Sequence, residues 1–307
     1  MAKHNYHDKG YRALLSKKRN FMQFLRHFVK HSWVDLIDED TLELRDTEFV
    51  SKFFDKMMSD LIYSVKIADR EVYFFVLTEL QSTPDNTMPY RIFEYMAAIL
   101  SRAFNDTPKD VRERRGFRLP VVVPIVFYNG SSGWVVTERF RDYLQDDGLF
   151  KDVNIIDFEY TLVDINLLDR EYLLSNHDAI CATLAVDTVR DDGLDALIKT
   201  LTSIKLSKQE FRSEDYSDFV SWFVNTVSHR TVSEHEAASV VGILMEGEDD
   251  EMGIGLGSIL DKAVDKGKAK VALNMLRNGY DKETVAELTE MSVEWVEGVL
   301  TDESLVS

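Results

Sequence analysis

Between Leu61 and Tyr128 the residue pattern passes from a two-residue period to helical spacing and back, and this order restricts the fold more than any other feature. Leu61 to Ile67 alternates and carries β-branched residues. Ala68, Asp69 and Arg70 supply a turn, and Glu71 to Leu77 holds Val72, Tyr73, Phe74, Phe75 and Val76. Two antiparallel strands joined by a short turn are expected. Ser82 to Asn86, with Pro84, breaks the second strand. Met88 to Phe104 then spaces Ile92, Phe93, Met96, Ile99 and Leu100 as an amphipathic helix. Leu119 to Tyr128 predicts a buried strand, with Pro124 marking a bulge or an edge position and Asn129-Gly130 a turn. Val153 to Leu162 is a further expected strand. The order predicts an α/β fold with a mixed sheet core flanked by helices, followed by an additional helical C-terminal region.

Residues 8–30 read as a first helix, through Leu14, Phe21, Leu25, Phe28 and Val29. Trp33 to Asp46 reads as an acidic connection with a short element, and Phe49 to Met58 as a short helix. The expected organisation is a core over residues 1–165, a helical extension or continuation of that core over 166–250, and a small helical tail over 251–307. Glycines from Gly242 to Gly257 suggest a loose joint. In the tail, Leu260 to Leu276, Lys282 to Leu288 and Val293 to Leu300 are helix candidates. The last two resemble a small helix-turn-helix unit. Asp281, Glu283, Glu287, Glu290, Glu294 and Glu297 make it a poor phosphate binder, so protein interaction or intrachain packing is the preferred role.

With 307 residues, 45% of them hydrophobic, the chain can bury a substantial core, which argues against a wholly disordered protein. It has no apolar run of membrane-spanning length and no signal-like N-terminal stretch. Cys181 is its one cysteine, which excludes an intrachain disulfide framework. A cytoplasmic bacterial protein, nucleoid-associated when bound to DNA, is the expectation, with leaderless secretion left open.

The formal net charge of −18 opposes nucleic-acid binding, because a surface that meets phosphates is usually basic. The cations are clustered, however. One group is Lys3, Lys9, Arg12, Lys17, Lys18, Arg19, Arg26 and Lys30; a second is Lys109, Arg112, Arg114, Arg115 and Arg118. Either group can form a local basic surface. Either can equally well solvate an exposed face.

Asp60 immediately precedes the first expected strand, and Glu79 and Gln81 follow at the end of the second. If those strands pair, the two carboxylates approach at one sheet end, where they can hold Mg²⁺ or Mn²⁺, hard cations that take oxygen ligands. The Leu80 backbone carbonyl offers another oxygen. Such an ion lowers the pKa of a bound water and offsets charge on a phosphate, as phosphodiester hydrolysis needs. Gln81 does not titrate near neutral pH and is suited to orientation rather than base catalysis. Ordinary surface acids would give the same pattern.

The order of motifs resembles the YhgA-like family of recombination-promoting nucleases and transposases, within the restriction-endonuclease-like PD-(D/E)XK superfamily. The matching stretches are His7-Asp8, Phe53 through Asp60 to Lys66, Tyr73 to Ser82, Met88 to Tyr95, Pro120 to Gly130, and Trp134. The resemblance covers roughly residues 5–165, together with the tail. It implies that Asp60 and Glu79 are metal-binding acids, with Gln81 in the place where the superfamily usually has Lys; the family itself commonly carries Glu-x-Gln-Ser there, so Gln81 does not by itself imply inactivity. Gly10-Tyr11-Arg12 and Leu80 depart from the family pattern. Four further residues are candidate support for the site. Asp8 could cap the first helix or approach the metal, and His7 could assist at phosphate. Arg91 could neutralise phosphate, anchor Glu79, or simply bridge helix and sheet. Tyr95 is better suited to packing. The implied function is divalent-metal-dependent cleavage of DNA, linked to recombination or mobile elements. A homodimer is attractive if both strands are cut. A catalytically inactive nucleic-acid-binding or regulatory protein on the same fold, or an RNA endonuclease, is the alternative.

Overall fold

The computed structural model describes residues 4–45, 61–68, 70–79, 84–145, 150, 152–153, 155–227 and 281–289, with scattered positions between 240 and 298. A five-stranded mixed sheet runs in sequence order: β1 (Ile37–Arg45), β2 (Leu61–Ile67), β3 (Arg70–Glu79), β4 (Val121–Tyr128) and β5 (Thr161–Asp164). β1, β2 and β3 pair antiparallel, whereas β3, β4 and β5 pair parallel. The expected hairpin closes through two residues, since Ile67 pairs with Arg70. Ala68 takes the left-handed conformation (φ +47°) that tight hairpins favour.

The pleat divides the core in two. Leu61, Tyr63, Val65, Phe74, Val76, Ile125 and Phe127 join a large cluster with the helices before β1 and after β5. Ile62, Phe75, Val122 and Val126 face the other way. There they meet Met88, Ile92, Tyr95 and Ile99 of a helix that the β3–β4 crossover supplies. The strands are therefore apolar on both faces, as expected where helices cover a sheet twice.

The first helix differs from the sequence expectation. It is two helices, α1 (His4–Leu15) and α2 (Lys18–Phe28), with extended backbone at Lys17 between them. The break lets Tyr11, Leu14 and Leu15 on one side, and Phe21, Phe24 and Leu25 on the other, all reach the sheet. It also leaves helix-end carbonyls to satisfy. Asn20 Nδ2 donates to the Leu14 carbonyl (3.1 Å) and the Tyr63 hydroxyl to that of Leu15 (2.9 Å). His7 and Asp8 lie inside α1 and not before it, so Asp8 is not the cap of this helix.

Two strand assignments also change. The acidic connection after Trp33 contains β1, whose residues other than Leu42 are mostly exposed. A charged edge strand of this kind is protected against pairing with another chain, and its acids hide its strand character in the sequence. The strand expected from Val153 shrinks to Thr161–Asp164. The residues before it pair elsewhere, with Phe140 N donating to the Phe158 carbonyl (2.9 Å) and Tyr160 N to that of Glu138 (3.2 Å). Pro124 creates no bulge. It stays in register with Phe75, and β5 pairs with β4 only from Ile125 onward, so β4 is flanked on one side at Pro124.

The crossover holds α3 (Met88–Asp106), as expected, and the short α4 (Lys109–Arg112). After β5 come α5 (Arg170–Ser175), α6 (Ala179–Asp187), α7 (Leu194–Leu206) and α8 (Ser213–Val227). All nine residues of α6 are buried, so this helix is central to the helical layer and not a surface appendage. In the tail, α9 (Lys282–Thr289) contributes Val285 and Ala286 to a small cluster with Ala272 and Val296. The segment expected as a helix from Phe49 to Met58 lies outside the described residues.

Gly10 marks a close approach of α1 to α8. A Cβ there would stand 3.0 Å from the Trp222 indole nitrogen and 3.3 Å from the Thr226 hydroxyl. This accounts for glycine at one of the positions that departs from the family pattern. Gly10→Val is expected to cost about 1–3 kcal/mol by overpacking, read as a shifted urea midpoint. An unshifted midpoint would mean that the helices separate freely.

Candidate functional site

The site predicted from sequence belongs at the end of β3. Glu79 is the last residue of that strand, in Cα register with Tyr128, the last residue of β4. Asp60, Leu80 and Gln81 lie outside the described residues, and of Glu79 the backbone alone is described. Leu61, the residue after Asp60, pairs with Val76, three positions before Glu79.

α1 points at the same strand end. Its last residue, Leu15, accepts the hydroxyl of Tyr63. One turn earlier, the Tyr11 ring packs edge-on against Phe127 at 4.8 Å. Phe127 directly precedes Tyr128. His7 and Asp8 lie a further turn toward the helix N-terminus. The described part of α1 thus packs beside Phe127, whose neighbour Tyr128 is in register with Glu79.

A buried polar network fixes this end. Asp187, the last residue of α6, is 1% exposed. Its carboxylate accepts the Tyr11 hydroxyl and Asn129 Nδ2, the latter at 2.9 Å. The Arg190 guanidinium donates to both oxygens of Asn129 and to the Gly130 carbonyl. Asn166 Nδ2 donates to the Gly130 carbonyl at 3.0 Å and to Asp164 Oδ1 at 2.8 Å. Asp164 Oδ2 accepts the Trp134 backbone N–H at 3.2 Å. The Asn129-Gly130 turn is thus tied to α1, α6 and β5, and Trp134 packs edge-on against Tyr128 at 5.0 Å. Sequence reasoning missed Tyr11, Asp164, Asn166, Asp187 and Arg190, whose partners are mostly far away along the chain.

On the opposite face, Arg91 Nη1 grips Asp85 Oδ2 at 2.8 Å, both groups being partly buried. Thr87 donates its backbone N–H (2.8 Å) and hydroxyl (2.6 Å) to Asp85 Oδ1. Partial burial pushes the Asp85 carboxyl up, but the Thr87 bonds and the Arg91 guanidinium outweigh it and hold the group below its ordinary range. A depressed folded-state pKa adds stability that is full above the unfolded value and is lost as pH falls through the folded one. An acid-unfolding titration is expected to show part of its loss below about pH 4, and Asp85→Asn should reduce that part. An unchanged acid limb would show that the Arg91 link is spent on solvent. Tyr95 is 1% exposed and stacks on Phe75 at 4.5 Å, a packing role.

Among the described residues, His27, Asp178 and Cys181 form one group whose ligand atoms lie within 4.8 Å of one another, close enough to hold a metal ion. This group lies at the start of α6, about 13 Å along the helix from Asp187. Its chemistry differs from that of the predicted carboxylate pair, since nitrogen and sulfur donors suit a softer ion than Mg²⁺. Asp178 caps α6 by accepting Cys181 N–H (2.9 Å) and meets His27 Nε2 at 2.6 Å. Burial first, and then the Asp178 carboxylate, push the Cys181 thiol up, away from the thiolate that ligates metals. As built, the group is a capped helix end joined to α2.

No described helix is long and apolar enough to cross a membrane. No solved structure matches the chain. Over 300 residues it is 22% identical to "Inactive recombination-promoting nuclease-like protein RpnE" of Escherichia coli K12, covering 93% of this chain and 94% of that protein. It is 28% identical over 125 residues to "Recombination-promoting nuclease RpnD" of Escherichia coli O157:H7, covering 41% of this chain and 45% of that protein. With "Recombination-promoting nuclease RpnC" of Escherichia coli K12 it shares 29% over 126 residues, covering 41% of this chain and 39% of that protein. The family model described as "Putative transposase, YhgA-like" matches residues 5–215, more than half of the chain, and the chain belongs to that family.

Proposed function

We propose that the chain binds DNA on a nuclease fold without productive hydrolysis. The observation that carries this reading is the match over 93% of the chain to a relative named inactive, whereas the relatives named nucleases match less than half of it.

Hydrolysis is the second reading, favoured by the presence of Asp60, Glu79 and Gln81 in the expected order. The donor set fits a hard cation: two carboxylates, with the Leu80 carbonyl as a third oxygen. Bound there, Mg²⁺ or Mn²⁺ would offset phosphate charge and activate water. Asp60 and Glu79 would hold the ion, Gln81 would orient the phosphate through its amide, and Asp8 would enter from α1. The network around Asp187 would hold the strand end rigid.

The two readings separate in one experiment. Supercoiled DNA is incubated with Mg²⁺ or Mn²⁺ and the parent protein, Asp60→Ala or Glu79→Ala, and binding is followed in chelator. Binding by all three with no nicking is expected. Nicking by the parent that both folded variants lose would replace the first reading with the second. Absence of both binding and nicking would sink both.

A further inference from the structure

Four arginines from four separate segments converge on one groove. Arg45 ends β1, Arg70 opens β3, Arg102 stands near the end of α3, and Arg118 follows α4; all four are exposed. With Tyr73 and Phe117 they line an open groove of about 1140 Å³. The acids in its lining are Glu71 and Asp106. Lys109, Arg112, Arg114 and Arg115 stand on the adjoining segment, against Asp110 and Glu113. Lining and adjoining segment together carry eight cationic side chains and four acidic ones, in a chain whose net charge is −18.

The neighbouring ion pairs do not cancel this. Arg102 meets Asp106 at 3.1 Å and Arg114 meets Asp110 at 2.7 Å, all through exposed side chains. Exposed pairs are weak and exchange readily for another anion. Arg45 donates from Nε to Ser64 Oγ (2.6 Å), and its Nη2 meets exposed Glu43 at 3.1 Å in a further pair of this kind. Phe117 is held against Phe104, with ring centroids 6.2 Å apart. Cations that track a backbone, combined with aromatic faces, are how single-stranded nucleic acids are held without sequence reading. On β3 the lining runs from Arg70 to Tyr73, which leaves about 20 Å of extended strand before Glu79.

We propose that this groove is a nucleic-acid site separate from the candidate catalytic end, and that it takes the phosphate backbone of single-stranded DNA with bases against Tyr73 and Phe117. The choice of nucleic acid rests on the DNA-binding reading above. The groove gives the second basic cluster of the sequence a role that solvation alone does not.

The test is fluorescence anisotropy of labelled oligothymidine in chelator across a salt series. Arg70→Glu/Arg118→Glu changes two exposed side chains and is expected to bind about tenfold or more weakly, with a shallower salt dependence. Phe117→Ala should weaken binding less, and Lys199→Glu/Arg212→Glu, exposed on the helical layer, should bind like the parent. Affinity of the arginine variant within about twofold of the parent would overturn the groove. So would a parent that binds duplex but not oligothymidine, although the DNA-binding reading would stand. Polyphosphate binding as tightly as oligothymidine, and failing in the same variant, would overturn the choice of nucleic acid. Cleavage by the parent in Mg²⁺ would overturn only the non-hydrolytic reading and leave the groove supported by the arginine variant's loss.

Discussion

Asp187→Ala is expected to lower the unfolding free energy by about 3 kcal/mol, read from urea melts. The carboxylate is 1% exposed and serves two donors of different origin, the Tyr11 hydroxyl from α1 and Asn129 Nδ2 from the turn after β4. Removing it takes a buried acceptor from both in a site that water enters poorly, and a buried polar group left unsatisfied costs about 1–3 kcal/mol. Asp187→Asn should cost less, because the amide keeps one acceptor and the volume. A loss below about 1 kcal/mol for the alanine variant would mean that water fills the gap and that the network does not set the turn. Tyr11→Phe isolates the hydroxyl and should account for a minor share.

The lesson for function is where this network sits. Arg190, Asn129, Asp187 and Tyr11 meet at the sheet end that carries Glu79, yet none of them repeats a motif. Asp187 and Tyr11 are 176 residues apart. A sequence shows such a pair as one ordinary aspartate at the end of an apolar helix and one ordinary tyrosine. By contrast, β2, β3, α3 and β4 were legible, because their periodicities are local and their boundaries are punctuated by Ala68-Asp69, Pro84 and Asn129-Gly130. β1 was not legible, since an edge strand faces solvent on most of its length and carries acids. The break in the first helix was hidden because Ser16-Lys17 interrupts no apolar period and contains no Gly or Pro; its stabilisers, Asn20 and Tyr63, come from other elements.

Charge shows the same division. The cluster from Lys109 to Arg118 was visible in the sequence, but its partners Arg45, Arg70 and Arg102 were not, because a hairpin edge and a helix bring them to the same groove. A net charge of −18 therefore says little about one face of this protein. The helical layer carries acids of its own, including Glu214, Asp215 and Asp218, which Arg19 and Lys17 of the first basic cluster engage. That cluster is thus partly committed to joining α1 and α2 to α8.

Phe127→Ala should be at least as damaging as Asp187→Ala, at about 4 kcal/mol. Phe127 is 1% exposed on β4, with Tyr11 edge-on at 4.8 Å and Phe24 at 5.9 Å. Truncation leaves a cavity between the sheet and both N-terminal helices, which a short connection at Ser16-Lys17 cannot readily collapse. Tyr11 is common to both sites: its ring rests on Phe127 and its hydroxyl is held by Asp187. The two substitutions should therefore not add. Once Asp187 is gone Tyr11 can settle into the space left by Phe127, so the double variant is expected to lose about 1 kcal/mol less than the sum of the single losses. Strict additivity in denaturant melts would show that α1 is held by the two residues independently. That would remove the argument that one tyrosine ties α1 both to β4 and to the end of α6.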